Sequence, residues 1–95
     1  MESIAEQTYY KTERQVNSIE QVDIEHERKL YLYNDRIESK HRVFLLQEVL
    51  DISYRKLGGE GGLLYLHTNS GVFSYTVKTS PQPFIELCKN YMNRT

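Results

Sequence analysis

Histidine, cysteine and carboxylate side chains are the groups in this chain that could carry chemistry. The three histidines, His26, His41 and His67, show no metal-ligand spacing, so we expect structural or surface roles for them. The sequence alone leaves open whether they converge in space. Cys88 lies on the apolar side of a predicted helix, which predicts a buried and unreactive thiol. Asp51 lies on a predicted strand, and we expect it in a surface cross-strand pair rather than as a general base.

Four of the five glycines fall in the segment 58–62, Gly-Gly-Glu-Gly-Gly. Glycine-rich loops can cradle phosphate, but a P-loop continues with Lys-Ser or Lys-Thr and opens a helix. Here Leu-Leu-Tyr follows and opens a strand. We therefore predict a mobile hairpin connection whose composition supports neither strand nor helix.

The composition of the chain argues against several classes of protein. A chain of 95 residues provides one domain with one core, and a net charge of -1 argues against a dedicated nucleic-acid binder. One cysteine allows no internal disulfide and no thiolate metal cluster, and we expect no cofactor. No segment approaches the roughly 20 apolar residues that span a bilayer, and the acidic start is unlike a secretory signal. We expect a cytoplasmic protein without a transmembrane segment.

The last third of the chain predicts a hairpin followed by a helix. Segments 63–68 and 72–78 alternate and are joined by Asn-Ser-Gly, with Phe73, Tyr75 and Val77 on one face. Ser80 is the predicted N-cap and Pro81 the first residue of a helix that runs to about residue 93. Its predicted apolar stripe consists of Phe84, Leu87, Cys88 and Tyr91.

The middle of the chain predicts a second hairpin and a longer strand. Segments 29–33 and 36–40 flank Asn34 and Asp35, which tolerate left-handed backbone in a tight turn. A short apolar run, 43–46, follows. In segment 49–57 alternation predicts one buried face with Leu50, Ile52 and Tyr54, and one wet face with Val49, Asp51, Ser53 and Arg55.

The first 27 residues are polar and give the weakest pattern. We expect the first few to be disordered, and a short strand over 7–12 through Tyr9 and Tyr10. Segment 15–25 contains β-branched residues at positions 16, 19, 22 and 24, which favours a strand over a helix.

This order of elements resembles a compact pleckstrin-homology-like domain of the bacterial type. The residues that carry the resemblance are Lys-Leu-Tyr-Leu-Tyr-Asn-Asp-Arg-Ile (29–37), Val-Leu-Asp-Ile-Ser-Tyr-Arg (49–55), and Gly-Val-Phe-Ser-Tyr (71–75) through Pro-Phe-Ile (83–85). It covers the chain from residue 29 to the end. The resemblance implies a bent antiparallel barrel capped by the C-terminal helix, in a binding or scaffolding module without enzymatic activity. Phosphoinositide-binding relatives use a basic loop between their first two strands, and no residues here match that motif.

We therefore expect one domain over 1–95 of the α+β class, mainly β, with one C-terminal helix packed on a bent antiparallel sheet or partly open barrel. The first functional hypothesis is a non-enzymatic module that binds a protein partner or a second copy of itself through strand edges or exposed tyrosines, Tyr65 included. The alternative is a peripheral module that binds anionic lipid headgroups through the basic segment 28–42. An enzyme is the third class, and the residues that act together in catalysis are missing from the pattern.

Basic side chains in that segment also protect exposed strand edges from aggregation, which is the interpretation we favour for them. The candidate contact residues for a partner or headgroup are Arg28, Lys29, Tyr31, Tyr33, Arg36, Lys40 and Arg42.

Overall fold

A computed structural model of the chain describes residues 3–16, 21–59 and 61–93. The described residues form seven strands and one α-helix, and a short 3-10 helix, Leu46–Glu48, joins the fourth strand to the fifth. The elements are β1 Ala5–Val16, β2 Gln21–Leu32, β3 Arg36–Glu38, β4 Val43–Leu45, β5 Val49–Gly58, β6 Gly61–Thr68, β7 Gly71–Val77 and α1 Gln82–Met92. All strands pair antiparallel in the order β4-β3-β2-β1-β7-β6-β5, and α1 packs on β5 and β1. The predicted class, mainly β with one C-terminal helix on the sheet, is confirmed.

The sheet is strongly bent. Three strands separate β4 from β7 in the strand order, yet the rings of Phe44 on β4 and Phe73 on β7 lie 5.1 Å apart. The two end strands are also held near each other, because only the 3-10 helix connects β4 to β5. Inside the bend lies one core, to which the helix contributes Phe84, Ile85 and Cys88. Its fully buried aliphatic residues are Leu30, Leu32, Ile37, Ile52, Leu64, Leu66 and Val77.

The first third of the chain contains longer strands than its sequence pattern predicted. The short strand predicted at 7–12 is the middle of the 12-residue β1, and the single strand predicted over 15–25 is wrong, because that segment includes the end of β1 and the start of β2. Val16 lies opposite Gln21 across this hairpin. Residues 1, 2 and 17–20, which the predictions of disorder and strand included, lie outside the described residues. From Ile4, whose N–H bonds to Leu32 O at 2.7 Å, the chain is tied to β2.

The hairpin predicted at residues 29–40 is confirmed, but its turn geometry differs. Leu32 lies opposite Ile37, and Tyr33 N–H donates to Arg36 O at 2.8 Å. Asn34 and Asp35 do not adopt left-handed backbone, since among the described residues only glycines have positive φ. A turn with ordinary negative φ values closes the hairpin without glycine.

A β-bulge at the start of β5 changes which of its residues face the core, compared with the prediction. Val49 lies opposite Thr68 and Asp51 opposite His67, so Leu50 is an extra residue in the ladder. Val49 is buried and Leu50 is 67% exposed, which reverses their predicted sides, while Ile52 is buried as predicted. A bulge shifts the alternation by one residue, and a prediction based on strict alternation cannot include it.

Three of the four glycines of the segment, Gly58, Gly61 and Gly62, are part of the sheet, contrary to the prediction that no strand survives there. Gly58 ends β5 and pairs with Gly61, which begins β6. The carbonyl of Arg55 approaches Gly62 so closely that an added Cβ would lie 2.1 Å from its oxygen. Glycine is therefore needed at this position because two backbones meet without room for a side chain.

The predicted second hairpin and the terminal helix are confirmed, with two corrections. The helix begins at Gln82 and Pro81 is its N-cap, while Ser80 Oγ accepts a hydrogen bond of 3.4 Å from Gln82 N–H. Ile85 is buried in the place predicted for Leu87, which is 37% exposed. The buried face of the helix is thus rotated from the predicted stripe towards Ile85 and away from Leu87.

Candidate binding groove

A groove opens where β1 and β7 separate. These strands pair only at Tyr10 opposite Thr76. Beyond this pair β1 continues to Val16 beside β2 alone, and β7 extends back to Gly71 beside β6 alone. Two-stranded ribbons twist strongly, so the long β1–β2 ribbon diverges from the rest of the sheet. The space between them, with the β3–β4 turn as its third wall, has a volume of about 420 Å³.

The groove is lined by polar, aromatic and basic side chains from distant parts of the chain. The basic ones are Lys11 on β1, Arg28 on β2, and His41 and Arg42 in the β3–β4 turn, and no lining residue is acidic. The complete lining consists of Tyr9, Tyr10, Lys11, Thr12, Arg28, Ser39, His41, Arg42, Ser74, Tyr75 and Thr76. A cleft with one sign of charge concentrates its field on whatever enters, even in a protein whose net charge is only -1.

Arg28 is placed in the groove by the alternation of β2. It lies directly opposite Tyr9, on the same face as the buried Leu30 and Leu32. Its guanidinium therefore begins where the apolar core ends. The Nε atom of Arg28 is buried and has no hydrogen-bond partner among the described residues. A buried donor without an acceptor costs roughly 1–3 kcal/mol, and an incoming acceptor would recover part of that cost.

Arg42 is held over the groove by its turn and by an aromatic ring. Ser39 N–H donates to Arg42 O at 2.8 Å, and Arg42 N–H donates to Ser39 Oγ at 3.1 Å. The guanidinium carbon lies 4.6 Å from the centroid of the Phe73 ring, within the range of a cation–π contact. These contacts limit the rotamers of Arg42 and reduce the entropy that it would lose on binding.

Two tyrosines form the floor of the groove. The rings of Tyr9 and Tyr75 are 4.8 Å apart in an edge-to-face arrangement. Burial raises the pKa of Tyr75, while a hydrogen bond with Ser39 acts in the opposite direction. The Tyr75 hydroxyl therefore remains neutral at physiological pH and can both donate and accept a hydrogen bond.

Of the seven predicted contact residues, only Arg28 and Arg42 line the groove. Lys29 lies on the other face of β2, where its Nζ is 3.3 Å from a carboxylate oxygen of Glu6. Lys40 is exposed in the β3–β4 turn but does not line the groove. The predicted hairpin surface is therefore divided between two sides of the sheet.

Arg36 is occupied by contacts within its own hairpin. Its Nη1 lies 2.8 Å from Asp35, its Nε lies 2.5 Å from Glu38, and its guanidinium lies over the Tyr33 ring at 4.2 Å. Tyr33 is half-buried, as are the other two tyrosines predicted to be exposed, Tyr31 and Tyr65. All three tyrosines are thus less exposed than predicted, and their role as contacts stays a prediction.

Sequence reasoning missed the contributions of β1 and β7 to the groove. Lys11 lies two positions after the buried Tyr9, so alternation places it on the inner face of the same strand. That signal was present in the sequence. Ser74 and Thr76 line the groove only because β7 separates from β1, which no local pattern indicates.

The histidines do not converge. His26 pairs with Glu13 at 3.1 Å on the β1–β2 ribbon, His41 lies in the groove, and His67 lies on β6. A search of the described residues finds no group of three or more His, Cys, Asp or Glu side chains that could hold a metal ion. Cys88 is fully buried, and burial raises its thiol pKa to about 12, which makes it a poor nucleophile.

One pair of residues has the geometry of a nucleophile and a base. Ser53 Oγ and His67 Nε2 are 2.8 Å apart on the face of β5 and β6 that points away from the core. Asp51 on β5 lies opposite His67 on β6, which is the cross-strand position that we predicted for it. Its carboxylate, however, pairs with Lys89 of α1 at 3.6 Å. None of the three residues lines the groove, and the Asp51 carboxylate is paired with Lys89 rather than with His67.

Comparisons with known proteins find no protein-family model that matches the chain and no curated protein with significant sequence similarity to it. Within the described ranges, no helix has the length and apolar character needed to cross a membrane.

Proposed function

We propose that this protein is a small non-enzymatic interaction module whose groove binds an acidic segment of a partner protein. One observation carries the proposal: Lys11, Arg28 and Arg42 line a single groove that no acidic residue lines. A ligand that supplies carboxylates would meet several cations at once, together with a buried donor that has no acceptor. We further propose a cytoplasmic location, which suits a chain whose one cysteine is a free buried thiol.

The resemblance to pleckstrin-homology-like domains supports a binding role. A bent antiparallel sheet with a C-terminal helix is the arrangement that the resemblance implies, and we propose membership of that group on this basis. The same fold can hold unrelated functions, so the groove, and not the fold, is the argument for binding.

Headgroup binding through the segment 28–42 is the weaker alternative. Lys29 and Arg36 are already paired with carboxylates, so two of the five cations that would contact lipid are partly neutralised. Arg28 and Arg42 lie in a recess bounded by the β1–β2 ribbon and β7. A recess suits an extended chain better than a flat membrane surface.

Fluorescence anisotropy with a labelled peptide of alternating valine and glutamate tests the proposal. We expect the acidic peptide to bind and a valine–lysine peptide to fail. The double variant Arg28→Gln/Arg42→Gln should weaken binding at least tenfold, since a hydrogen bond to a charged group contributes about 1.5–3 kcal/mol.

The matched control is Lys29→Gln/Arg36→Gln, which removes the same charge outside the groove and should change the affinity by less than about twofold. Equal weakening by both double variants would contradict a groove-specific site. Pelleting with anionic vesicles that the control variant abolishes would support the lipid alternative instead. Thermal melts confirm that each variant is folded.

A further inference from the structure

The separation of β1 from β7 leaves strand edges without partners inside the groove. From Lys11 to Val16, β1 pairs with β2 on one side, and no described strand pairs with its other side. If the β1–β7 pairing continued past Tyr10 and Thr76, Lys11 would lie opposite Tyr75 and Thr12 opposite Ser74. Instead these four residues line the groove. Six residues of strand edge, about 20 Å at 3.3 Å per residue, are therefore available for pairing.

We infer that the acidic partner segment binds as an added β-strand along the free edge of β1, a conclusion that rests on the proposed function. The opposite edge, on β7 from Gly71 to Tyr75, is one residue shorter. Strand addition obtains affinity from main-chain hydrogen bonds and specificity from alternate side chains. Here both requirements meet, since the start of the free edge, Lys11 and Thr12, lines the same groove as the basic side chains.

The charges beside this edge select the occupant. In an extended segment every second side chain lies on the same face, so carboxylates at alternate positions would all point to Lys11, Arg28 and Arg42. The intervening side chains would point to the outer face of the sheet. Glu13, on the same face of β1 as Lys11, does not line the groove, and its carboxylate is 3.1 Å from His26 Nε2. A basic segment would meet like charge and be rejected.

N-methylated forms of the valine–glutamate peptide separate strand addition from charge binding. One form is methylated on the glutamate nitrogens and the other on the valine nitrogens, so the two have the same charge. A strand directs the N–H groups of alternate residues to opposite edges. Because the basic side chains fix the face on which the glutamates lie, the N–H groups that point to β1 belong either to the glutamates or to the valines. We expect exactly one form to lose at least tenfold in affinity while the other stays within about threefold of the parent peptide.

Amide hydrogen exchange provides the second readout. Addition of the parent peptide should slow exchange within residues 11–16, and the weak-binding methylated form should not slow it at equal concentration. Equal affinity of both methylated forms, with the parent peptide still dependent on Arg28 and Arg42, would overturn strand addition and leave the proposed function intact. Failure of the parent peptide itself to bind would overturn both.

Discussion

The Phe44 and Phe73 rings are 5.1 Å apart, although their strands are separated by three others in the sheet. This contact fixes the bend of the sheet and brings the β3–β4 turn over β7. The same ring of Phe73 carries the Arg42 guanidinium at 4.6 Å. The Phe73 ring thus contacts both the Phe44 ring and the guanidinium of the basic wall of the groove.

The Phe44–Phe73 contact should be measurable as a coupling free energy. In a double-mutant cycle with Phe44→Leu and Phe73→Leu, we expect a coupling of about 0.5–1.5 kcal/mol in urea unfolding. Phe73→Leu combined with Leu57→Ala, a residue 61% exposed on β5, serves as the control and should be additive. Additivity in both cycles would contradict the role of the ring pair in fixing the bend.

Gly62→Ala should destabilise the protein by about 3 kcal/mol or more, because the new methyl group would overlap the Arg55 carbonyl. Gly59→Ala is the control: nothing lies within 4 Å of its added Cβ, and its φ of +52° costs about 1–2 kcal/mol. Urea unfolding of both variants gives the comparison. A loss at Gly62 no larger than that at Gly59 would show that the two backbones do not approach as described.

Phe84→Ala should cost about 3–5 kcal/mol, since the ring is 3% exposed in the core between the helix and the sheet. Leu87→Ala, on the same helix but 37% exposed, should cost less than about 1 kcal/mol because its apolar surface is already partly in water. Both are measured by thermal or urea unfolding. Equal losses would mean that the helix presents the originally predicted stripe, with Leu87 inside.

The thiol of Cys88 should make stability depend on pH in the alkaline range. Burial raises its pKa to about 12, whereas an unfolded thiol has a pKa of ~8.5. The thiol of the unfolded state therefore loses its proton first. The free energy of unfolding has its full value below pH ~8.5 and declines as the pH rises towards 12. Unfolding free energies between pH ~8 and ~10 should fall more steeply than those of Cys88→Ala. Identical pH profiles would show that the thiol is not buried in the folded state.

Alternation and turn chemistry were sufficient to predict the hairpins and the terminal helix, because those signals are local. The bulge at Leu50 and the rotation of the helix face towards Ile85 depend on how elements meet, and no window of sequence contains that information. The groove was less predictable still. Arg28 and Arg42 were chosen for their charge within one segment, but Lys11 and Ser74 join them only through the separation of β1 from β7.

The central claim is that the groove is the binding surface, and a residue-by-residue NMR titration with the valine–glutamate peptide tests it most directly. We predict that the largest amide shifts occur at Lys11, Thr12, Arg28, Arg42 and Ser74. Shifts centred on Lys29 or on Ser53 and His67, on the opposite face of the sheet, would contradict the account, as would a spectrum that the peptide leaves unchanged.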